Sequence, residues 1–171
     1  NRKPIESTRQ YIPCDTLLLS VGLIPENELT KSAGVALDRV TNGAVVDQDR
    51  GTLIDGIFAC GNVLHVHDLV DFVSEESVQA GKAAAKYLKG ELDNTSPVTL
   101  TKNGNGISYI VPQEYRLNNV EDKIGFKFRV RKPFHNVKVV IKADDQVIKT
   151  LVKPHMLPAE METIKLDKKV L

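Results

Sequence analysis

The sequence predicts an α/β unit over residues 1–97, followed by a small antiparallel all-β, sandwich-like unit over residues 98–171. Three observations lead there. In the first part, short apolar runs stop on glycine, and an alanine-rich stretch of helical character follows them. Beyond Pro97 the apolar residues change to period two. Charge divides at the same place: residues 1–97 carry 9 Lys and Arg against 14 Asp and Glu, and residues 98–171 carry 14 against 8.

Taken in order, "CDTLLLSVG" (14–22) predicts a buried strand closed by glycine, with Pro25 soon after. "PENELTKSAG" predicts about one helical turn, ended by Gly34. "AVVD" (44–47) and "GIFAC" (56–60) predict two short strands. The second is apolar on both sides, as in a parallel sheet covered by helices. The clearest helix is expected from Ser74, with Ser74 as cap, Glu75 and Glu76 serving the positive end of the dipole, and Gly90 past the last turn. Its predicted inner stripe is Val78, Gly81, Ala85 and Leu88, broadened by Ala80, Ala83 and Ala84. A polar connector, "KGELDNTSPVT", leads to the strand candidates "GISYIV", "IGFKFRV", "VKVVIKA", "QVIKTLV" and "METIKL", with Asp144-Asp145 as a hairpin turn.

Composition excludes several classes of function. No apolar run approaches the roughly 18 residues of a membrane span. Lysines in "KFRVRKPF" and "KVVIKADDQVIK" alternate with apolar positions, which predicts a solvated sheet face and not a nucleic-acid surface. Cys14 and Cys60 form no CxxC, so a disulfide framework, a zinc ribbon and a redox dithiol are not expected, and a reduced, cytoplasmic setting is. Cys60, after an apolar run, reads as a small buried hydrophobe. The opening "NRKPIESTRQ" has neither an initiator methionine nor a signal-peptide pattern, and the chain is expected to be a piece of a longer protein.

The chemistry concentrates in "GTLIDGIFACGNVLHVHDLVDFVSEESVQAGKAAAKYL" (51–88). A strand that ends on Gly61-Asn62 lets backbone approach a ligand closely. A helix starting near Ser74 would aim free N–H groups and partial positive charge into the same region, which suits an anion or a group that becomes negative in reaction. His65, His67 and Asp68 raise a metal reading. A hydrolase of HxHxDH type needs an acid and a further histidine where Leu69 and Val70 stand, so no metal site is expected. His65 and His67 remain catalytic candidates, for proton transfer near a cofactor.

These residues resemble the two-dinucleotide-binding, Rossmann-like flavoproteins of the pyridine nucleotide-disulfide oxidoreductase kind. "CDTLLLSVGLIPENEL" is similar to the segment closing their pyridine-nucleotide domain. "GAVVDQDRGTLIDGIFACGN" is similar to their later T-x-x-x-G-[IV]-[FY]-A-x-G-D segment, matched at Thr52, Gly56, Ile57, Phe58, Ala59 and Gly61. "CGNVLHVHDLVDFVSEE" looks closest to flavoproteins associated with anaerobic-type glycerol-3-phosphate dehydrogenases. The resemblance covers about residues 12–90 and implies FAD, with NAD(P) as a further cofactor. It implies that Gly61 and Asn62 face the ribityl-phosphate portion, with the backbone near Val73 and Ser74 by the flavin's pyrimidine edge.

Four departures accompany it. Ser20 and Val21 replace the usual alanine and threonine, and Asn62 replaces an aspartate, keeping hydrogen bonds but not charge. There is no CxxC, and neither GxGxxG loop is present. The chain by itself is therefore not expected to catalyse hydride transfer. In the longer protein, a small-molecule substrate and a nicotinamide or partner dehydrogenase subunit would exchange electrons with the flavin. The competing expectations are a non-catalytic assembly module that docks such a subunit through its basic β unit, and a metal-dependent hydrolase using His65, His67 and Asp68.

Overall fold

The computed structural model of the chain describes residues 4–20 and 22–171. Its regular elements are α1 (Glu28–Ser32), α2 (Val70–Leu88) and the strands β1 (Val98–Leu100), β2 (Ile107–Val111), β3 (Glu114–Arg116), β4 (Lys123–Val130), β5 (Phe134–Ala143), β6 (Gln146–Met156) and β7 (Glu162–Asp167).

The second half follows its period-two pattern. All five predicted strands form, as β2, β4, β5, β6 and β7, and Asp144 turns the β5–β6 hairpin in a left-handed conformation (φ 49°). Antiparallel pairing orders β2–β4–β7 into a three-stranded sheet. Ile124, Phe128 and Val130 of β4, with Ile164 and Leu166 of β7, fill one core, against which the hairpin packs Phe134, Val137 and Ile141. Each fully buried side chain of this size contributes about 1.5–3 kcal/mol. The short β1–β3 pair was not expected. Its strands have 3 residues each, too short to show an alternation.

The first half departs further from expectation. Among the described residues of 14–22 no strand forms, and Leu17, Leu18 and Leu19 are 72%, 90% and 75% exposed. A strand needs a ladder partner for its N–H and C=O groups, and no described segment runs alongside this one. Val21 lies outside the described residues. The strands expected at 44–47 and 56–60 shrink to isolated antiparallel bridges, Leu37–Ala44, Val46–Thr52 and Gly51–Phe58. No parallel pairing occurs among the described residues. The predicted helical turn does form as α1, and Gly34 closes it at φ 79°.

Helix α2 starts at Val70, four residues before the expected Ser74. Leu69 is its N-cap residue and makes no side-chain cap, while the Ser74 hydroxyl donates inside the helix to the Val70 carbonyl at 3.2 Å. The predicted stripe faces outward: Val78 is 57% and Leu88 85% exposed. The inner face carries Val73, Glu76, Ala80, Ala83 and Tyr87, a second i, i+3, i+7 series in the same helix. Burying Glu76 among cations selects this face. Tyr87 lies edge-on to Phe58, with ring centroids 6.1 Å apart, and the Gln79 amide donates to the Gln48 carbonyl at 2.6 Å.

The two halves share packing. Val35, Ala44, Val46, Ala59 and Leu64 form a second core with Tyr109 and Val111 of β2. The Gln113 backbone N–H donates to the Val46 carbonyl, and its side-chain oxygen accepts the Val46 N–H, both at 3.1 Å. No described helix is long and apolar enough to cross a membrane.

Candidate functional site

The site is built on the turn that follows Cys60. Cys60 is extended (φ −151°), and Gly61 then reverses to φ 73° and opens a single 3-10 turn, Gly61–Val63. A side chain at Gly61 would be strained by that φ, and its Cβ would sit 3.2 Å from Val73 Cγ1. Glycine therefore lets the turn lie against the first turns of α2. The Gly61 carbonyl accepts the N–H groups of Leu64 (2.9 Å) and His65 (3.2 Å), and the Asn62 side-chain oxygen accepts the His67 N–H at 3.1 Å. Cys60 is half-buried, less enclosed than expected, and its thiol lies 3.7 Å from the Ser77 hydroxyl.

In "HVHD" the first and third residues turn inward and Asp68 turns out. His65 and His67 meet edge to face, with ring centroids 4.5 Å apart. Both aim Nε2 at the carboxylate of Glu76, His65 at Oε1 (3.2 Å) and His67 at Oε2 (2.9 Å). Oε2 also accepts the Gly61 N–H at 2.9 Å. Oε1 accepts Arg50 Nε at 3.1 Å and faces Lys127 Nζ at 3.5 Å. Glu76, its side chain without exposed surface, is the centre of this arrangement.

Burial alone would raise the Glu76 carboxyl, but the hydrogen bonds from His65 and His67 and the nearby Arg50 charge outweigh it and hold the group well below the usual carboxylate range. Burial lowers His65 despite its bond to Glu76, so that imidazole stays neutral while it donates. Burial likewise lowers Lys127, against the opposing pull of Glu76.

The outer residues of the loop are held from the β unit. Arg129 pairs with Asp68, donates to the Val66 carbonyl at 3.0 Å, and donates from Nε to the Tyr109 hydroxyl at 3.2 Å. The Met161 N–H donates to Asp68 Oδ2 at 2.7 Å. These bonds and the Arg129 charge outweigh the effect of burial and lower the Asp68 carboxyl.

Several expectations are corrected here. Glu76 does not serve the helix start; it lies inside α2 and is buried. Lys127 and Arg129 of "KFRVRKPF" are not on a solvated face, since their side chains are only 13% and 15% exposed. Asp68 does not join the histidines, and the carboxylate that does is Glu76. One ligand-type atom each from His65, His67 and Glu76 lie within 4.8 Å of one another, the chemistry a divalent cation takes. The same carboxylate already faces Arg50 and Lys127, whose charges oppose a cation there.

Of the expected cofactor contacts, the structure brings Gly61, Asn62 and Val73 together and leaves Ser74 exposed. By position, the free amide donors at the helix start belong to Leu69, Val70 and Asp71, because the Phe72 N–H closes on the Leu69 carbonyl at 3.2 Å. Sequence reasoning missed Arg50, Glu76, Lys127 and Tyr109. One signal was available: an H-x-H pair in an extended loop points both rings to one side, and a carboxylate on the alanine face of the next helix is their natural acceptor.

No solved structure matches the chain. Residues 2–86, just under half of the chain, match the model of the family described as pyridine nucleotide-disulphide oxidoreductase. That match spans the Gly61 turn, the histidine loop and nearly all of α2, and it supports a pyridine nucleotide-disulphide oxidoreductase-like family for the segment that holds the site.

Proposed function

We propose that the chain is the C-terminal part of an FAD-dependent, NAD(P)-linked oxidoreductase, with Gly61 and Asn62 facing the ribityl-phosphate portion of the flavin. The observation that carries this reading is the seating of the Gly61 turn against the first turns of α2, in a left-handed conformation that would strain any side chain there. The family match over residues 2–86 supports it, because that family binds FAD and NAD(P).

The residues divide the work by chemistry. The N–H and carbonyl of Gly61 are both engaged, so Gly61 supplies close approach rather than a hydrogen bond. Asn62 spends its oxygen on the loop and has its amide nitrogen to offer. The start of α2 would offer the amides of Leu69, Val70 and Asp71, with the backbone near Val73 and Ser74, to an electron-rich pyrimidine edge. When bound, the flavin supplies the redox chemistry, and the chain supplies position and field. Its redox partners would be a nicotinamide or a dehydrogenase subunit on one side and a small molecule on the other. The resemblance of the segment 60–76 supports, in this reading, a functional setting among flavoproteins associated with anaerobic-type glycerol-3-phosphate dehydrogenases.

A second reading is a non-catalytic module that docks a dehydrogenase subunit. It draws on the bare leucines at 17–19 and the outward stripe of α2, apolar surface that a partner could cover. One experiment separates the two. The source coding region upstream of Asn1 is sequenced, and the complete reading frame is expressed and examined for flavin absorbance. Strand–GxGxxG–helix units upstream, a yellow product and weaker FAD binding in Asn62→Ala are expected. A colourless product from a frame that opens at Asn1 would overturn the flavoenzyme reading in favour of the docking module.

A further inference from the structure

The Gly61 turn has no intrinsic reason to be rigid. It is a single 3-10 turn beside an exposed helix start, and such turns hold a ligand only when something behind them fixes the backbone. Behind this one lies a buried carboxylate surrounded by cations and imidazoles. Its role is not explained by helix capping, since it lies well inside α2, or by surface solubility, since it has no exposed surface.

We propose that Glu76 is a positioning residue for the cofactor-facing turn. It grips Gly61 through the backbone N–H and fixes His65 and His67 as Nε2–H donors, and Lys127 of the C-terminal β unit completes its charge balance. The inference rests on the flavoenzyme reading only for what the turn serves. Three observations carry it. First, one oxygen of Glu76 bridges the Gly61 N–H and His67 Nε2, both at 2.9 Å, and His67 is in turn held by Asn62, so the carboxylate controls both ends of the turn. Second, Arg50 on one side and Lys127 on the other supply the positive charge that a buried carboxylate requires. Third, Nδ1 of both histidines is buried without a hydrogen-bond partner among the described residues. An Nδ1 proton would be an unmet buried donor, whereas a bare Nδ1 lone pair costs less, so the proton belongs on Nε2, facing Glu76.

The last point also decides against a divalent cation in the cluster. Coordination would take the Nε2 lone pairs of both rings and move their protons to Nδ1, where no acceptor waits. Metal-bound histidines ordinarily donate that second N–H to a carboxylate or carbonyl. The ion would also add two positive charges beside Arg50 and Lys127.

The test needs no flavin. Nitrogen-15 NMR of the 171-residue chain reads the imidazole tautomers and the Gly61 amide directly. Nε2–H is expected for both His65 and His67, with no change on adding an equivalent of zinc, and the Gly61 amide signal is expected to move in Glu76→Gln. Nδ1–H tautomers, stoichiometric zinc uptake that shifts the histidine signals, or an unmoved Gly61 amide in a folded Glu76→Gln would each overturn the proposal. The wild-type tautomers keep it falsifiable if that variant fails to fold.

The functional arm uses the flavin-loaded full-length protein. Lys127→Met should weaken FAD binding about tenfold and shift the visible flavin spectrum, the scale of one charge-assisted hydrogen bond. Lys127→Arg should restore most of the affinity, and Lys138→Met, on the exposed hairpin face, should do nothing. Equal affinity in Lys127→Met and wild type would overturn the role of Lys127. A full-length protein without flavin, beside correct tautomers, would instead defeat the flavoenzyme reading and leave the network standing.

Discussion

A carboxylate with no exposed surface persists only when its neighbours replace water, and around Glu76 they do so with a backbone amide, two imidazoles and two cations. Asp47 meets burial differently. Its Oδ1 accepts the N–H groups of Asp49 (2.8 Å) and Gly51 (2.9 Å), yet no cation among the described residues pairs with it, and burial pushes its carboxyl from the ordinary 3.8 up to about 6, aided by the nearby Asp49 charge. The two acids therefore act on stability with opposite signs. The contribution of Glu76 is present above its ordinary value of 4.5 and lost as pH falls below it. That of Asp47 is full below pH 3.8 and lost as pH rises through about 6. Replacing Asp47 by Asn keeps the Oδ1 acceptor and removes the charge, so the variant should be more stable than wild type by about 1–3 kcal/mol at pH 8. The gain should disappear near pH 4. Urea unfolding across that range checks it, and a difference that does not change with pH would show that Asp47 is not strained by its charge.

At the scale of elements, legibility followed the redundancy of the signal. β4, with Ile124, Phe126, Phe128 and Val130 on one side, was readable because the apolar face and the strand period agree. α2 was readable as a helix but not in its rotation, because two apolar series run along it. The choice between them depended on Arg50 and Lys127, distant in sequence. Its start was misread because Ser74 has the chemistry of a cap, while the observed N-cap, Leu69, has none. The segment at 14–20 has the composition of a buried strand, but a strand is made by its neighbours, which local pattern does not supply. The outward face of α2 offers its own test. A Cβ added at Gly81 meets nothing within 4 Å, so Gly81→Ala should raise stability by about 0.5–1 kcal/mol through helix propensity alone. A thermal melt reads the change, and a loss instead would mean that another surface covers this face.

Across the whole molecule, the line drawn by charge at residue 97 is crossed repeatedly by structure. Lys127 and Arg129 reach from β4 into the histidine loop, Lys86 of α2 pairs with Glu121 at 2.5 Å, and the Asn119 side-chain oxygen accepts the Asp93 N–H at 2.8 Å. Part of the basic excess of the second half is thus spent on acids of the first. The net charges of the two halves describe complementary surfaces, a distinction that composition alone does not make. The histidine loop was legible as a place of interest, but its acceptor and the cations around it came from three separate parts of the chain.

Strand β2 contributes Tyr109 and Val111 to the core of the first half, while Ile107 and Ile110 pack on that of the second, with an irregularity in register between Ile107 and Tyr109. One strand thus belongs to both interiors. A protease that cuts the exposed connector between α2 and β1 should produce a nicked protein that still elutes as one species and melts in a single transition; two separable pieces would show that the shared strand does not hold them. In terms of inheritance, such a fold cannot exchange its tail at the connector as a cassette, because whatever replaced the tail would have to bring its own tyrosine and valine to finish a core that begins far earlier in the chain, at Val35, Ala44 and Val46.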